Sequence, residues 1–183
     1  AAERYGLLPA LDRWALDALC RHLATRPDDD GIHALNLGAA TLDDAGFPER
    51  VRDCLAQHAV APARLGFELE EAAVLGRLAQ AADCLRALRA LGCRIALDRF
   101  GAGLAAFGYL KVLRVDALKF EASLLAAADP VDAAAAESLV RLARLLDLQT
   151  IGERIETPAQ HARAVELGMD YVQGFGVERP AGL

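Results

Sequence analysis

Short apolar runs rich in Ile, Leu and Val alternate with longer stretches of helical period along this 183-residue chain. Six runs predict buried strands, at residues 32–37, 64–70, 93–98, 115–119, 149–153 and 170–174. The stretches between them predict helices, among them residues 11–23, 48–58, 72–91 and 158–167 and one with Leu139, Val140, Ala143 and Leu146 on its apolar face. Gly92 and Gly168 are placed to end two of these helices. The alternation predicts parallel β/α packing and favours a barrel over an open sheet.

Polar side chains occur at or near the carboxyl end of every predicted strand. They are Asn36, Glu68, Asp98, Lys119, Glu153 and Gln173. In a parallel β/α barrel these strand ends meet on one face, where active sites are built. A rim residue in solvent explains any single member, but six strands that each carry such a group predict a functional face.

The residue types in this set suit one chemistry. Glu68 and Asp98 are hard oxygen ligands and Asn36 is a neutral one, the donors that Mg²⁺, Mn²⁺ or Ca²⁺ prefer. Glu153 adds a third carboxylate, and converging carboxylates repel one another unless a cation is present. Lys119 provides an ammonium that can hold a nucleophilic water or stabilise charge on phosphate. The set therefore predicts metal-assisted hydrolysis of a phosphodiester.

Composition and charge exclude several classes of protein. A net charge of −6 argues against a protein that coats nucleic acid by neutralising phosphates. No apolar run approaches the roughly 20 residues of a membrane span, and no signal peptide is visible. The four cysteines form no C-x-x-C pair and lie at no zinc spacing to a His, which predicts buried reduced thiols and a cytoplasmic location. The four histidines are predicted to be structural or surface residues.

Six short segments resemble, in order, the motifs of the EAL family of cyclic di-GMP phosphodiesterases. They are residues 35–38 (LNLG), 68–71 (ELEE), 98–103 (DRFGAG), 119–121 (KFE), 152–157 (GERIET) and 173–175 (QGF). The resemblance extends from Ala2 to Pro180 and implies a modified (β/α)₈ TIM-like barrel. It also implies that cyclic di-GMP lies across the carboxyl face of the strands, with Mg²⁺ or Mn²⁺ beneath its scissile phosphate.

The resemblance further implies a role for each matching position. The implied metal ligands are Asn36, Glu68, Asp98 and Glu153. Lys119 would orient the attacking water, with Glu153 as the second catalytic residue. The implied ligand-binding residues are Asp98, Arg99, Glu153, Gln173 and Gly174. Glu71 matches the residue that braces the loop after Asp98, residues 99–110, and that loop is the expected contact of a homodimer.

Three departures from the motifs decide the predicted function. Arg99 stands where active members have a second Asp that helps to hold the second metal, and a guanidinium repels a cation. It could take the metal's place by pairing with Asp98 or Glu153. Glu121 replaces the Asp of the family's K-I-D motif, and Arg154 follows Glu153 where the family usually has Gly. These changes predict a degenerate member with little or no hydrolytic activity.

The sequence leaves three functions open. The domain is a cyclic di-GMP receptor, an active metal-dependent phosphodiesterase that yields linear pGpG, or a protein-interaction module that binds no nucleotide. The strand with the Glu-Ala-Leu signature is not in the sequence, which opens at Ala1 without Met. We therefore expect residues 1–183 to be one EAL domain without its N-terminal strands, next to a GGDEF or other signalling domain, and we expect no contact with DNA or membrane.

Overall fold

Helices and strands alternate along the chain in the computed structural model, which describes residues 7–101, 107–121, 124 and 129–179. These residues form two compact units. The first unit comprises residues 7–96 and 107–115, and the second comprises residues 97–101, 116–121, 124 and 129–179. Strand β3 (Arg94–Asp98) contributes residues to both units.

The first unit is built around two parallel strands and the helices that cover them. Its elements are α1 (Leu8–Ala24), β1 (His33–Asn36), α2 (Phe47–His58), β2 (Leu65–Glu70), α3 (Glu71–Leu75), α4 (Leu78–Leu91) and α5 (Leu110–Leu113). Short 3₁₀ turns lie at Ala39–Asp43, Pro62–Arg64 and Phe107–Tyr109. Strands β1 and β2 are parallel, and the sheet order here is β1-β2-β3. The largest fully buried side chains of this unit include Leu16, Leu23, Phe47, Phe67, Leu85 and Leu88.

The second unit repeats the alternation of strand and helix. Its elements after the end of β3 are β4 (Ala117–Phe120), α6 (Pro130–Leu145), β5 (Gln149–Gly152), α7 (Pro158–Leu167) and β6 (Tyr171–Val172). The sheet order here is β3-β4-β5-β6, and β5 is parallel to both β4 and β6. Its core joins α6 and α7 through Ala136, Val140, Ile155, Ala164 and Leu167.

Helix ends follow the local sequence signals. Helix α7 begins at Thr157, whose side chain forms a capping box with Gln160, and Pro158 occupies its first turn. It ends at Gly168 with φ of 65°, and α4 ends at Gly92 with φ of 101°, so both glycines adopt the left-handed conformation expected of them. All six predicted strands are present, which confirms the α/β prediction.

The single helix predicted over residues 72–91 is wrong. Two helices, α3 and α4, occupy that stretch, and the chain leaves helical geometry at Arg77, with φ of −143° and ψ of 40°. Gly76, a poor helix former, precedes the break. The Arg77 side chain donates to Asp43 at 2.9 Å, a tertiary contact that periodicity does not reveal.

Candidate functional site

A buried ion pair between Lys119 and Glu153 forms the centre of the site in the second unit. Strand β4 is buried along its whole length, and the Lys119 side chain is only 2% exposed. An isolated ammonium in such a place would be costly, so it requires an anionic partner. Glu153 follows β5, where its backbone N–H donates to Phe120 at 2.8 Å, and its carboxylate lies 2.7 Å from Lys119 Nζ.

Asp98 joins this pair from the end of β3. Its carboxylate shares a hydrogen bond with Glu153, so two acidic side chains and one ammonium meet at the ends of three strands. Burial and the hydrogen bond with Asp98 raise the pKa of Glu153 to about 7, while Lys119 opposes that shift. Glu153 therefore exchanges a proton near neutral pH more readily than an exposed glutamate does.

Arg99 follows Asp98 directly and has a left-handed backbone, with φ of 54°. Its backbone N–H donates to the Asp98 carboxylate at 2.7 Å. Its side-chain Nε lies 3.6 Å from Glu121 Oε1, and 46% of the side chain remains exposed. Arg99 and Glu121, two of the three residues that depart from the family motifs, thus form an ion pair with each other. Sequence reasoning did not identify Glu121 as the partner of Arg99.

Gln173 and Gly174 lie just after β6, next to the segment that carries Glu153. The Gln173 backbone N–H donates to Gly152 at 2.8 Å, and its carbonyl accepts from Ile155 at 3.0 Å. A Cβ on Gly174 would lie 2.3 Å from the backbone nitrogen of Ile155, so only glycine fits there. Gln173 is exposed, as is Arg154, which also has a left-handed backbone with φ of 52°.

Asn36 and Glu68 lie in the first unit, directly opposite each other at the ends of β1 and β2. The backbone N–H of Leu37 donates to the carbonyl of Glu68 at 2.8 Å and fixes this strand end. The structure thus brings these two predicted ligands together. It also brings Asp98, Arg99, Lys119 and Glu153 together in the second unit.

Two buried carboxylates hold loops of the first unit. The Tyr109 hydroxyl donates to Glu71, which begins α3 and is 4% exposed. Asp12 on α1 accepts from the backbone N–H of Gly38 at 3.0 Å and from the hydroxyl of Thr41. Sequence reasoning missed Asp12, and its signal was an acidic residue beside the apolar face of α1.

Each unit contains side-chain oxygen atoms that could act as ligands of a hard divalent cation. In the second unit Asp98 and Glu153 offer adjacent carboxylates, the kind of donor that Mg²⁺ or Mn²⁺ takes. The neighbouring Glu121 is already paired with Arg99, and a guanidinium cannot be a ligand. The Asp98 and Glu153 carboxylates therefore fit one cation. In the first unit Asn36 and Glu68 provide a second pair of oxygen donors.

Comparison with known proteins decides the family. The EAL domain model matches residues 1–180. This chain belongs to the EAL domain family. The structure is similar to that of the PaMucR phosphodiesterase in its c-di-GMP complex, with a TM-score of 0.90 and 34% identity, over 98% of this chain and 80% of that chain. It is similar to the FimX EAL domain from Pseudomonas aeruginosa bound to c-di-GMP, with a TM-score of 0.91 and 25% identity, over 98% and 74%. The predicted TIM-like EAL fold is confirmed.

Similar sequences include two curated signalling proteins. The chain is 34% identical over 186 residues to the bifunctional diguanylate cyclase/cyclic di-GMP phosphodiesterase MucR of Pseudomonas aeruginosa, covering 98% of this chain and 27% of MucR. It is 30% identical to the cyclic di-GMP phosphodiesterase PdeF of Escherichia coli, covering 98% of this chain and 24% of PdeF. The chain therefore spans about a quarter of these relatives. Within the described part of the chain, no helix has both the length and the apolar character that crossing a membrane needs.

Proposed function

We propose that this EAL domain binds cyclic di-GMP as a receptor and hydrolyses it little or not at all. The relatives named above include a phosphodiesterase in complex with c-di-GMP and an EAL domain bound to it. The observation that carries the proposal is the pair formed by Arg99 and Glu121, 3.6 Å apart. Both positions hold aspartate in the motifs of active members.

The Arg99–Glu121 pair changes the charge beside Asp98. A guanidinium contributes a fixed positive charge and five N–H donors, and it binds phosphate oxygens with two parallel hydrogen bonds. It therefore favours binding of the anionic phosphodiester groups of cyclic di-GMP in the absence of metal. Arg99 is 46% exposed and Arg154 and Gln173 are exposed, so these donors are accessible to a ligand. Removing the second of two cations takes away either water activation or leaving-group stabilisation, so turnover should fall.

Retention of the acid–base centre favours a second candidate, an active phosphodiesterase that forms linear pGpG. Lys119 Nζ and Glu153 are 2.7 Å apart, and the Lys119 ammonium would orient an attacking water while Glu153 accepts or holds its proton. Asp98 and Glu153 would hold a Mg²⁺ or Mn²⁺ ion, as phosphodiesterases of this family generally depend on divalent metal. The bound ion would polarise a phosphoryl oxygen. If the chain binds no nucleotide with or without metal, the third candidate, a protein-interaction module, is favoured.

Substitution at Arg99 tests the proposal. Asp tolerates a left-handed backbone, so Arg99→Asp fits the φ of 54° at this position. The substitution should raise the affinity for Mn²⁺ by about tenfold or more, because it replaces a repelling cation with a ligand. The double variant with Glu121→Asp should gain hydrolysis of cyclic di-GMP. Arg86→Asp, a charge reversal at an arginine that is 71% exposed on α4, is the matched control and should change neither property.

The outcomes separate the candidates. Hydrolysis by the unaltered chain in Mn²⁺ would refute the receptor. An unchanged Mn²⁺ titration in Arg99→Asp would show that Arg99 does not exclude the metal.

The proposal extends to the neighbouring domains, the cellular compartment and the partners of this chain. We propose that residues 1–183 belong to one EAL domain that works beside a GGDEF or other signalling domain, since the name of MucR joins a diguanylate cyclase with a phosphodiesterase. The four cysteines are free and buried, which suits a reducing compartment such as the cytoplasm. The homodimer through the loop after Asp98 stays a prediction, since residues 102–106 lie outside the described ranges. The net charge of −6 supports a small nucleotide over DNA as partner.

A further inference from the structure

Helices α1 and α2 of the first unit bring three metal-binding side chains together. Cys54 and His58 are four residues apart on α2 and so lie on one helix face. Asp17 on α1 lies against them, with its Oδ1 3.2 Å from His58 Nε2. One ligand atom from each of the three side chains lies within 4.8 Å of the other two. The prediction that no cysteine lies at zinc spacing to a His overlooked this four-residue spacing of Cys54 and His58 on α2.

We propose that this Asp17–Cys54–His58 cluster is a zinc site. Its donors are a thiol that releases its proton to solvent on binding, an imidazole and a carboxylate, which is the combination that Zn²⁺ accepts and that Mg²⁺ or Ca²⁺ avoids. The fourth tetrahedral position is open to a water. The cluster uses none of the residues assigned to cyclic di-GMP, so the proposal stands apart from the proposed function.

The spacing of two of the three donor atoms fits tetrahedral coordination. Nitrogen and oxygen ligands bind zinc at about 2.0 Å, which places two such ligands about 3.3 Å apart at the tetrahedral angle. The observed Asp17 Oδ1 to His58 Nε2 distance of 3.2 Å meets this requirement without rearrangement. The bound ion would replace the hydrogen bond that now joins the two groups.

The surroundings hold the ligands and leave an entry path. Arg21 lies 2.6 Å from Asp17 Oδ2, so it orients the carboxylate and leaves Oδ1 directed at His58. Such an outer contact is the support that metal ligands usually have. The Asp17 side chain is 46% exposed and that of His58 is 14% exposed, so an ion reaches the cluster from solvent. The Cys54 thiol lies deeper and donates to the carbonyl of Leu16 at 4.0 Å.

Cys20 provides an internal comparison. It is fully buried on α1, but it is not one of the three clustered donors. The alternative account is that Cys20 and Cys54 are ordinary core side chains and that Asp17 and His58 form an ordinary surface ion pair. That account predicts no sulfur–metal bond.

Cobalt is the probe that distinguishes these accounts, because Co²⁺ replaces Zn²⁺ and gives a thiolate-to-metal charge-transfer band only when sulfur is a ligand. The reduced full chain should show this band at one equivalent of Co²⁺, and Zn²⁺ should abolish it. Carboxylate sites such as Asp98 and Glu153 contribute no such band. The band therefore reports on the zinc cluster and not on metal binding at Asp98 and Glu153.

Matched variants complete the test. Cys54→Ala should abolish the band, and His58→Gln and Asp17→Asn should each weaken Zn²⁺ binding by at least about 100-fold, since loss of outer-shell partners alone costs 10–100-fold. Cys93→Ala, at another buried cysteine, and Cys20→Ala should keep the band. Circular dichroism verifies that each variant is folded. Absence of the band in the unaltered chain, or its persistence in Cys54→Ala, would overturn the proposal.

Discussion

Replacing Glu153 by Gln should remove a pH dependence from the unfolding free energy of the metal-free protein. Folding raises the pKa of Glu153 from 4.5 to about 7, chiefly through burial and then through Asp98, with Lys119 opposing. A carboxyl with a raised pKa binds its proton more tightly when folded, so it contributes less stability as pH rises. The contribution is present below pH 4.5 and is lost progressively between about pH 4.5 and 7.

The expected size follows from those two pKa values. Between pH 5 and pH 8 the unaltered chain should lose roughly 2–3 kcal/mol of stability through this one group, and Glu153→Gln should not. Urea unfolding in EDTA at both pH values measures the difference for each protein. Glu166→Gln, at an exposed carboxyl on α7, is the control and should keep the original difference. Each protein has a change in unfolding free energy from pH 5 to pH 8. If these two changes agree to within about 0.5 kcal/mol, burial does not raise the pKa of Glu153.

Lys119→Met tests the same reasoning from the other partner. Breaking a buried ion pair from one side costs about 3–5 kcal/mol, because the remaining charge is left without compensation. At pH 5 Glu153 is already protonated in both proteins, so little of that cost arises. Lys119→Met should therefore be clearly destabilised at pH 8 and much less so at pH 5. An equal loss at both pH values would contradict the assigned coupling.

Three further predictions concern urea or thermal unfolding of single variants. Tyr109→Phe removes a donor to the buried Glu71 carboxylate and should cost about 1–3 kcal/mol, whereas Tyr171→Phe, at an exposed tyrosine, should cost little. Gly174→Ala should destabilise by about 1–3 kcal/mol, because its Cβ would lie 2.3 Å from a backbone nitrogen; a neutral effect would disprove that close approach. Arg154→Gly relieves a left-handed backbone and should retain stability or gain up to about 1 kcal/mol; a larger loss would assign a stabilising contact to the arginine.

Much of the fold was predictable because its signals are local. Strand positions follow from short apolar runs, and the ends of α4 and α7 follow from Gly92 and Gly168. The break between α3 and α4 was not predictable from periodicity, because the contact of Arg77 with Asp43 comes from a distant segment.

Some contacts of the candidate site were likewise predictable from the sequence, and others were not. The proximity of Asn36 and Glu68 follows from parallel pairing of consecutive strands, which alternation of strand and helix already predicts. The pairing of Arg99 with Glu121 was not predicted, since Asp98 and Glu153 were the expected partners. The sequence spacing of these residues does not determine which rotamer the Arg99 side chain adopts. The Asp17 contact with His58 likewise depends on how α1 and α2 pack.

Calorimetric titration of cyclic di-GMP into the unaltered chain, first in EDTA and then in Mg²⁺, followed by product analysis of the same samples, tests the central claim most directly. If the Arg99 guanidinium replaces a metal in binding phosphate, as proposed, the affinity should be similar under both conditions and no linear pGpG should form. Binding that requires Mg²⁺ and is accompanied by formation of linear pGpG would contradict this proposal.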